Sequence, residues 1–115
     1  MSIKVVHNCC YGGFSISRSC AQRMAELGNE EALEMIGESE DLFYGYLQQT
    51  ARHDPALVQA VEELGDDANG RSALLGVYEL KGNKYIIDEY DGSESVVEPD
   101  DINWIVVNSR LDGGL

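Results

Sequence analysis

Residues 9–17, Cys-Cys-Tyr-Gly-Gly-Phe-Ser-Ile-Ser, hold the residue types best suited to chemistry in this 115-residue chain. Adjacent glycines let backbone N–H groups approach a ligand. A helix opening behind them adds unpaired N–H groups and a partial positive charge. Gly12-Gly13, followed by Ser15 and Ser17 and flanked by Tyr11, meets that need for an anion cradle. Arg18 and Arg23 can add charge-assisted bonds, although a spacing of five need not turn both to one ligand. No Gly-Lys-Ser/Thr follows, so this is not a Walker loop, and it is not Gly-x-Gly-x-x-Gly either. A tight strand-to-helix turn with a serine cap explains the same residues without a ligand.

Charge singles out the same region. Residues 1–25 carry Lys4, Arg18 and Arg23 and no carboxylate, whereas residues 26–115 carry all 21 carboxylates. The net charge of −13 argues against nucleic acid or an anionic membrane as a direct partner of the surface as a whole. It suits a soluble protein, a binder of basic surfaces, or a mimic of nucleic-acid charge.

Other residues are open to two readings. In Arg52-His53-Asp54-Pro55, Asp54 and Pro55 suit a helix start, while Arg52 and His53 are not needed for it and are free to face a ligand. Cys9, Cys10 and Cys20 with His7 lack the spaced pairs of a zinc motif, so buried small hydrophobes are the simpler reading; no metal and no cofactor is expected. A Cys-His nucleophile needs a contact in space that sequence cannot show. Asp88, Glu89, Asp91, Glu94, Glu98, Asp100 and Asp101 form an acidic stretch without a base. It reads as a solvated hairpin face, or as a protein-facing surface formed by Glu89, Asp91, Glu94 and Glu98. Tyr85, Tyr90 and Trp104 suit a sheet core or an aromatic platform.

The elements that must position these groups follow from periodicity. Ile3–His7 predicts a first strand. Ile16, Cys20, Met24 and Leu27 fall on one face of a helix ended by Gly28, and Asn29 caps a short second helix that buries Leu33 and Ile36. Residues 42–52 lean towards helix. Asp54-Pro55 opens a helix lined by Leu57, Val58, Val61 and Leu64 and stopped by Gly65, with a further helical turn over 66–70. Ala73–Leu80 and Tyr85–Tyr90 predict an antiparallel hairpin, followed by strands at Glu94–Val97 and Asn103–Val107. The expected fold is α+β, with an N-terminal strand and helices packed on a mostly antiparallel C-terminal β-meander. One domain is expected over residues 1–108, with a flexible tail over 109–115. Three cysteines, two of them adjacent, and the lack of a signal-peptide pattern after Met1 point to a reducing cytoplasm.

Four pieces occur together in order: Tyr11-Gly12-Gly13-Phe14-Ser15-Ile16-Ser17, Arg52-His53-Asp54-Pro55-Ala56-Leu57-Val58, Val61-Glu62-Glu63-Leu64-Gly65 and Glu89-Tyr90-Asp91-Gly92. The combination resembles a family of small uncharacterised proteins of bacteriophages, other large DNA viruses and environmental sequences. The resemblance spans about residues 3–98 and implies a viral accessory protein acting in the host cytoplasm, without supplying a mechanism.

These readings converge on a non-catalytic binder of an anionic or nucleotide-like small molecule, able to sequester a host signal. Its candidate contacts are Tyr11, Gly12, Gly13, Ser15, Ser17, Arg18, Arg52 and His53. The alternative is an acidic interaction module that blocks a basic host protein by charge mimicry. An enzyme comes third, because no complete nucleophile–base pair is visible.

Overall fold

The computed structural model describes residues 3–39, 43–102 and 105. Strand β1 (Lys4–Asn8) contains Val5 and Val6 in succession, and both are fully buried. Successive strand side chains point to opposite faces, so a strand buries both only if it is covered on both sides. Val6 joins the core made by the helices, whereas Val5 packs with Leu80 and Val96 in a second, smaller core.

Strand β2 (Leu75–Glu79) pairs antiparallel with β1, in a register running from Lys4–Glu79 to Asn8–Leu75. Strands β3 (Ile86–Tyr90) and β4 (Ser93–Val97) form an antiparallel hairpin. Asp91 (φ 52) and Gly92 (φ 91) turn it, both in the left-handed region that a tight two-residue hairpin turn favours. β4 lies against β1. The layers therefore run from helices, through the β1–β2 pair, to the β3–β4 hairpin.

Helix α1 (Arg18–Glu26) starts where Ser17 Oγ accepts the Cys20 N–H at 3.1 Å, and it buries Cys20, Ala21 and Met24. Helix α2 (Glu30–Ile36) is capped by Asn29, whose side chain accepts the Ala32 N–H at 2.8 Å. Helix α3 (Pro55–Leu64) is capped by Asp54, which accepts the Leu57 N–H at 3.1 Å, and it buries Leu57, Val58, Ala60 and Val61. A 3-10 turn, Gly65–Ala68, follows it.

The α+β class, the N-terminal strand and the antiparallel C-terminal strands are as expected. Four details differ. β2 does not pair with β3; it pairs with β1, and the strands form two separate two-stranded sheets. The Glu98 carboxylate accepts the Lys81 and Gly82 N–H groups at 2.9 and 3.0 Å, so this corner is tied to the end of β4 rather than closed as a hairpin. Ile16 is buried outside α1, in a bridge with Asn69. In α2 the fully buried residue is Ala32, while Leu33 faces solvent. Residues 43–47 are not helical: Gly45 adopts φ 77, and its carbonyl accepts the Ile16 N–H at 2.9 Å. The strand expected at 103–107 and the tail at 109–115 lie outside the described residues, apart from Ile105. No helix among the described residues is long and apolar enough to cross a membrane.

Candidate functional site

The glycine loop is built by close backbone approach. A Cβ on Gly12 would lie 1.7 Å from the Ser72 carbonyl oxygen, so only glycine lets segments 11–13 and 71–73 touch. Asn8, at the end of β1 and fully buried, holds the loop from below. Its side-chain NH₂ donates to the Cys10 and Gly92 carbonyls at 2.7 and 2.8 Å, and its Oδ1 accepts the Leu74 N–H at 2.9 Å. One amide thus joins β1, the loop, the start of β2 and the β3–β4 turn.

Beside it sits a second tie. Arg52 makes a two-pronged ion pair with Glu94, at 2.5 and 2.9 Å, and its guanidinium lies 3.5 Å from the Phe14 ring centroid. Glu94 Oε1 also accepts the Asn8 N–H at 2.9 Å. Burial pushes the Glu94 carboxyl up, but the bonds from Arg52 and Asn8 and the nearby positive charge outweigh it, so its pKa is held below the ordinary value. The Arg52 carbonyl accepts the Val6 N–H at 2.9 Å, which covers part of the edge of β1 that faces away from β2.

Above the loop opens a cavity of about 390 Å³, lined by Gly12, Ser15, Phe43, Tyr44, Tyr46, Arg71 and Ser72. Its aromatic wall comes from the segment pinned at Gly45. That residue is buried, and a Cβ there would lie 2.0 Å from the Ile16 carbonyl oxygen. With Gly45 held inward, Tyr44 and Tyr46 project outward, 67% and 63% exposed. Their rings are nearly parallel, 9° apart, with centroids separated by 6.4 Å. Glu31 anchors the far end of this segment by accepting the N–H groups of Gln48, Gln49 and Thr50.

Of the residues expected to bind a ligand, Gly12 and Ser15 meet at this cavity. Tyr11 is exposed beside the loop, and Gly13 adopts φ 89 with open space where a Cβ would stand. Ser17 caps α1 and donates to the Asp67 carbonyl at 2.5 Å, so the helix start is closed by the 3-10 turn. Arg18 donates to the Ile36 and Glu38 carbonyls at and just beyond the end of α2 and lies over the ring of Phe43, which lines the cavity. Arg52 is held in its ion pair. His53 lies away from the loop, its Nδ1 2.7 Å from the Tyr85 hydroxyl. Arg71, Ser72, Tyr44 and Tyr46 were not anticipated. Arg23 pairs with Glu63 and Glu26, which leaves Arg71 as the described arginine with no carboxylate or carbonyl partner. The signal available in sequence was the glycine of Tyr44-Gly45-Tyr46, the residue type that accepts the positive φ found there.

In the acidic stretch, Glu89 and Asp91 are exposed. Glu94 and Glu98 are buried, and Glu98 also accepts the Tyr78 hydroxyl at 3.0 Å. Tyr85 packs in the second core, and Tyr90 is exposed; Trp104 lies outside the described residues. Among the described residues, no three His, Cys, Asp or Glu side chains converge as a metal site.

Cys9 Sγ lies 3.8 Å from His7 Nδ1. Partial burial and the neighbouring Cys10 and Glu94 push the Cys9 thiol up, the opposite of what activates a nucleophile. Cys20 is fully buried, and its thiol is pushed up to about 12 by burial alone. A thiol-reactive dye at pH 8 is therefore expected to label exposed Cys9 in the native protein, and Cys20 only after unfolding. Peptide mapping that found Cys20 labelled as fast as Cys9 would contradict this packing.

No protein-family model matches the chain, and no curated protein and no solved structure is significantly similar to it.

Proposed function

We propose that this protein is a non-catalytic binder of an anionic small molecule, held in the cavity between the Gly12 loop and Arg71. The observation that carries the reading is the state of Arg71. In a chain with 21 carboxylates it has no carboxylate partner among the described residues, and it lines a polar recess. An unpaired guanidinium is the group best shaped for a phosphate or carboxylate. Ser15 and Ser72 offer hydroxyls at the same recess. At about 390 Å³ the cavity falls at the low end of the ~300–1,000 Å³ typical of small-molecule sites. The viral accessory role implied by the resemblance fits a protein that removes a small signal from its host.

Calorimetry against a panel of phosphates, nucleotides and carboxylates tests the proposal. One or more anions should bind, and Arg71→Gln should weaken them about tenfold or more, as expected for losing a charge-assisted contact. A panel that gives no binding at millimolar concentration would sink the reading. The charge-mimic alternative gains less from the geometry, because Glu94 and Glu98 are buried and occupied by internal bonds.

A further inference from the structure

We infer that the ligand of this cavity carries a planar aromatic ring, gripped by Tyr44 and Tyr46, with its anionic group on Arg71. This rests on the anion-binding reading above and names the ligand class: a mononucleotide or a molecule of that shape.

Two tyrosines at 67% and 63% exposure gain little from burial, so core packing does not explain their placement. Their ring planes nevertheless lie within 9° of each other. Three features fix the backbone that carries them. Gly45 is fixed against the Ile16 main chain, Arg18 stacks on Phe43 at the start of the segment, and Glu31 holds residues 48–50 at its end. A segment anchored at three points presents its aromatic side chains with little ordering left to do on binding, which favours affinity.

The spacing suggests what they present themselves to. Aromatic carbons pack at about 3.5–4.0 Å, so a ring held between two others needs roughly 7 Å between the outer pair. The centroid separation of 6.4 Å is an upper bound on the gap between the ring planes, so a clamped ring requires these exposed side chains to rotate apart. A flat ring can equally stack on the outer face of either tyrosine, with the same chemistry of recognition. The rest of the cavity lining, apart from Phe43, is polar: Arg71, Ser72, Ser15 and the Gly12 backbone. Aromatic and cationic, hydroxyl-rich groups lining one cavity match a molecule with a flat apolar end and an anionic end. The volume suits one ring system with one sugar phosphate, and not a dinucleotide.

The test compares AMP, GMP, adenosine, ribose 5-phosphate and inorganic phosphate on the full chain by calorimetry, with chemical shifts of the tyrosine rings followed by NMR. AMP or GMP should bind at least tenfold more tightly than ribose 5-phosphate, and the Tyr44 and Tyr46 ring signals should shift. Tyr44→Ala and Tyr46→Ala should each cost about fivefold or more, with Tyr44→Phe and Tyr46→Phe retaining binding; both positions are exposed, so the fold should tolerate all four. If ribose 5-phosphate binds as well as AMP and the alanine variants change nothing, the ring clamp is wrong while anion binding stands. If adenosine matches AMP and Arg71→Gln has no effect, the anionic half is wrong. If no member of the set binds, this inference is overturned, and the wider anion panel decides the parent reading separately.

Discussion

Arg52→Met is expected to lower stability by about 3 kcal/mol, the low end for removing one partner of a buried ion pair, because Arg52 retains 24% side-chain exposure. For a domain of this size that corresponds to a fall in Tm on the order of 10 °C at pH 7. Part of the loss is the contact with Phe14, where the guanidinium lies over the ring. Most of it is Glu94, left 8% exposed with no counter-charge. The sign of the pH dependence separates this from simple loss of packing. In the wild type, Glu94 is held below its ordinary 4.5, so its contribution is fully present above that pH and is lost as pH falls through the lower folded value. In Arg52→Met, burial is opposed mainly by the Asn8 N–H, so the carboxyl should shift upward and favour folding when protonated. The deficit should therefore shrink between pH 7 and pH 4. An equal deficit at both values, measured by thermal unfolding, would show that Glu94 is not the strained partner. Glu94→Gln in the Arg52→Met background should recover part of the loss at pH 7.

Asn8→Ala should be of similar size, about 3–4 kcal/mol, for a different reason. It removes no charge, but it strips hydrogen bonds from the Leu74 N–H and the Cys10 and Gly92 carbonyls, each costing about 1–3 kcal/mol if left dry. Asn8→Asp sharpens the point. It keeps the acceptor for Leu74 but loses both donors and places a carboxylate beside two carbonyls and Glu94. It should be worse than alanine at pH 7 and recover as the new carboxyl is protonated in acid. Urea midpoints at pH 7 and pH 4 give the comparison, and an Asp variant as stable as wild type at pH 7 would refute the assigned amide orientation.

What could be read in the sequence was what local chemistry decides. Asp54-Pro55, Ser17 and Asn29 start helices because a side-chain oxygen meets a free N–H two or three residues on, and Asp91-Gly92 turns a hairpin for equally local reasons. The pairing of β2 was not legible, because either β1 or β3 satisfies its apolar pattern and the choice depends on what covers each face. The same limit applies at the site. Gly12 and Ser15, which line the candidate cavity, are marked by their neighbours in sequence, whereas the partner of Arg52 lies 42 residues away and sequence leaves that arginine looking free. The pairing of Tyr44 with Tyr46 is hidden for a backbone reason: in a helix the two would diverge, whereas Gly45 stands at φ 77 and their rings lie nearly parallel.

The pairing of β1 with β2 also has a consequence on the ribosome. Lys4 must wait for Glu79, roughly 4–15 s at the ~5–20 residues per second of synthesis. Until then the nascent Val5-Val6 has no second strand beside it, although α1, α2 and α3 can already form from contacts close in the chain. Cover for its second face comes later still, with Val96. The cradle is equally late, since Gly12 rests on Ser72 and Asn8 reaches Gly92. The aromatic wall, tied by Ile16 to Gly45 and by Arg18 to Phe43, can form from the first fifty residues, whereas the polar side of the cavity waits for Arg71 and Ser72 to be made.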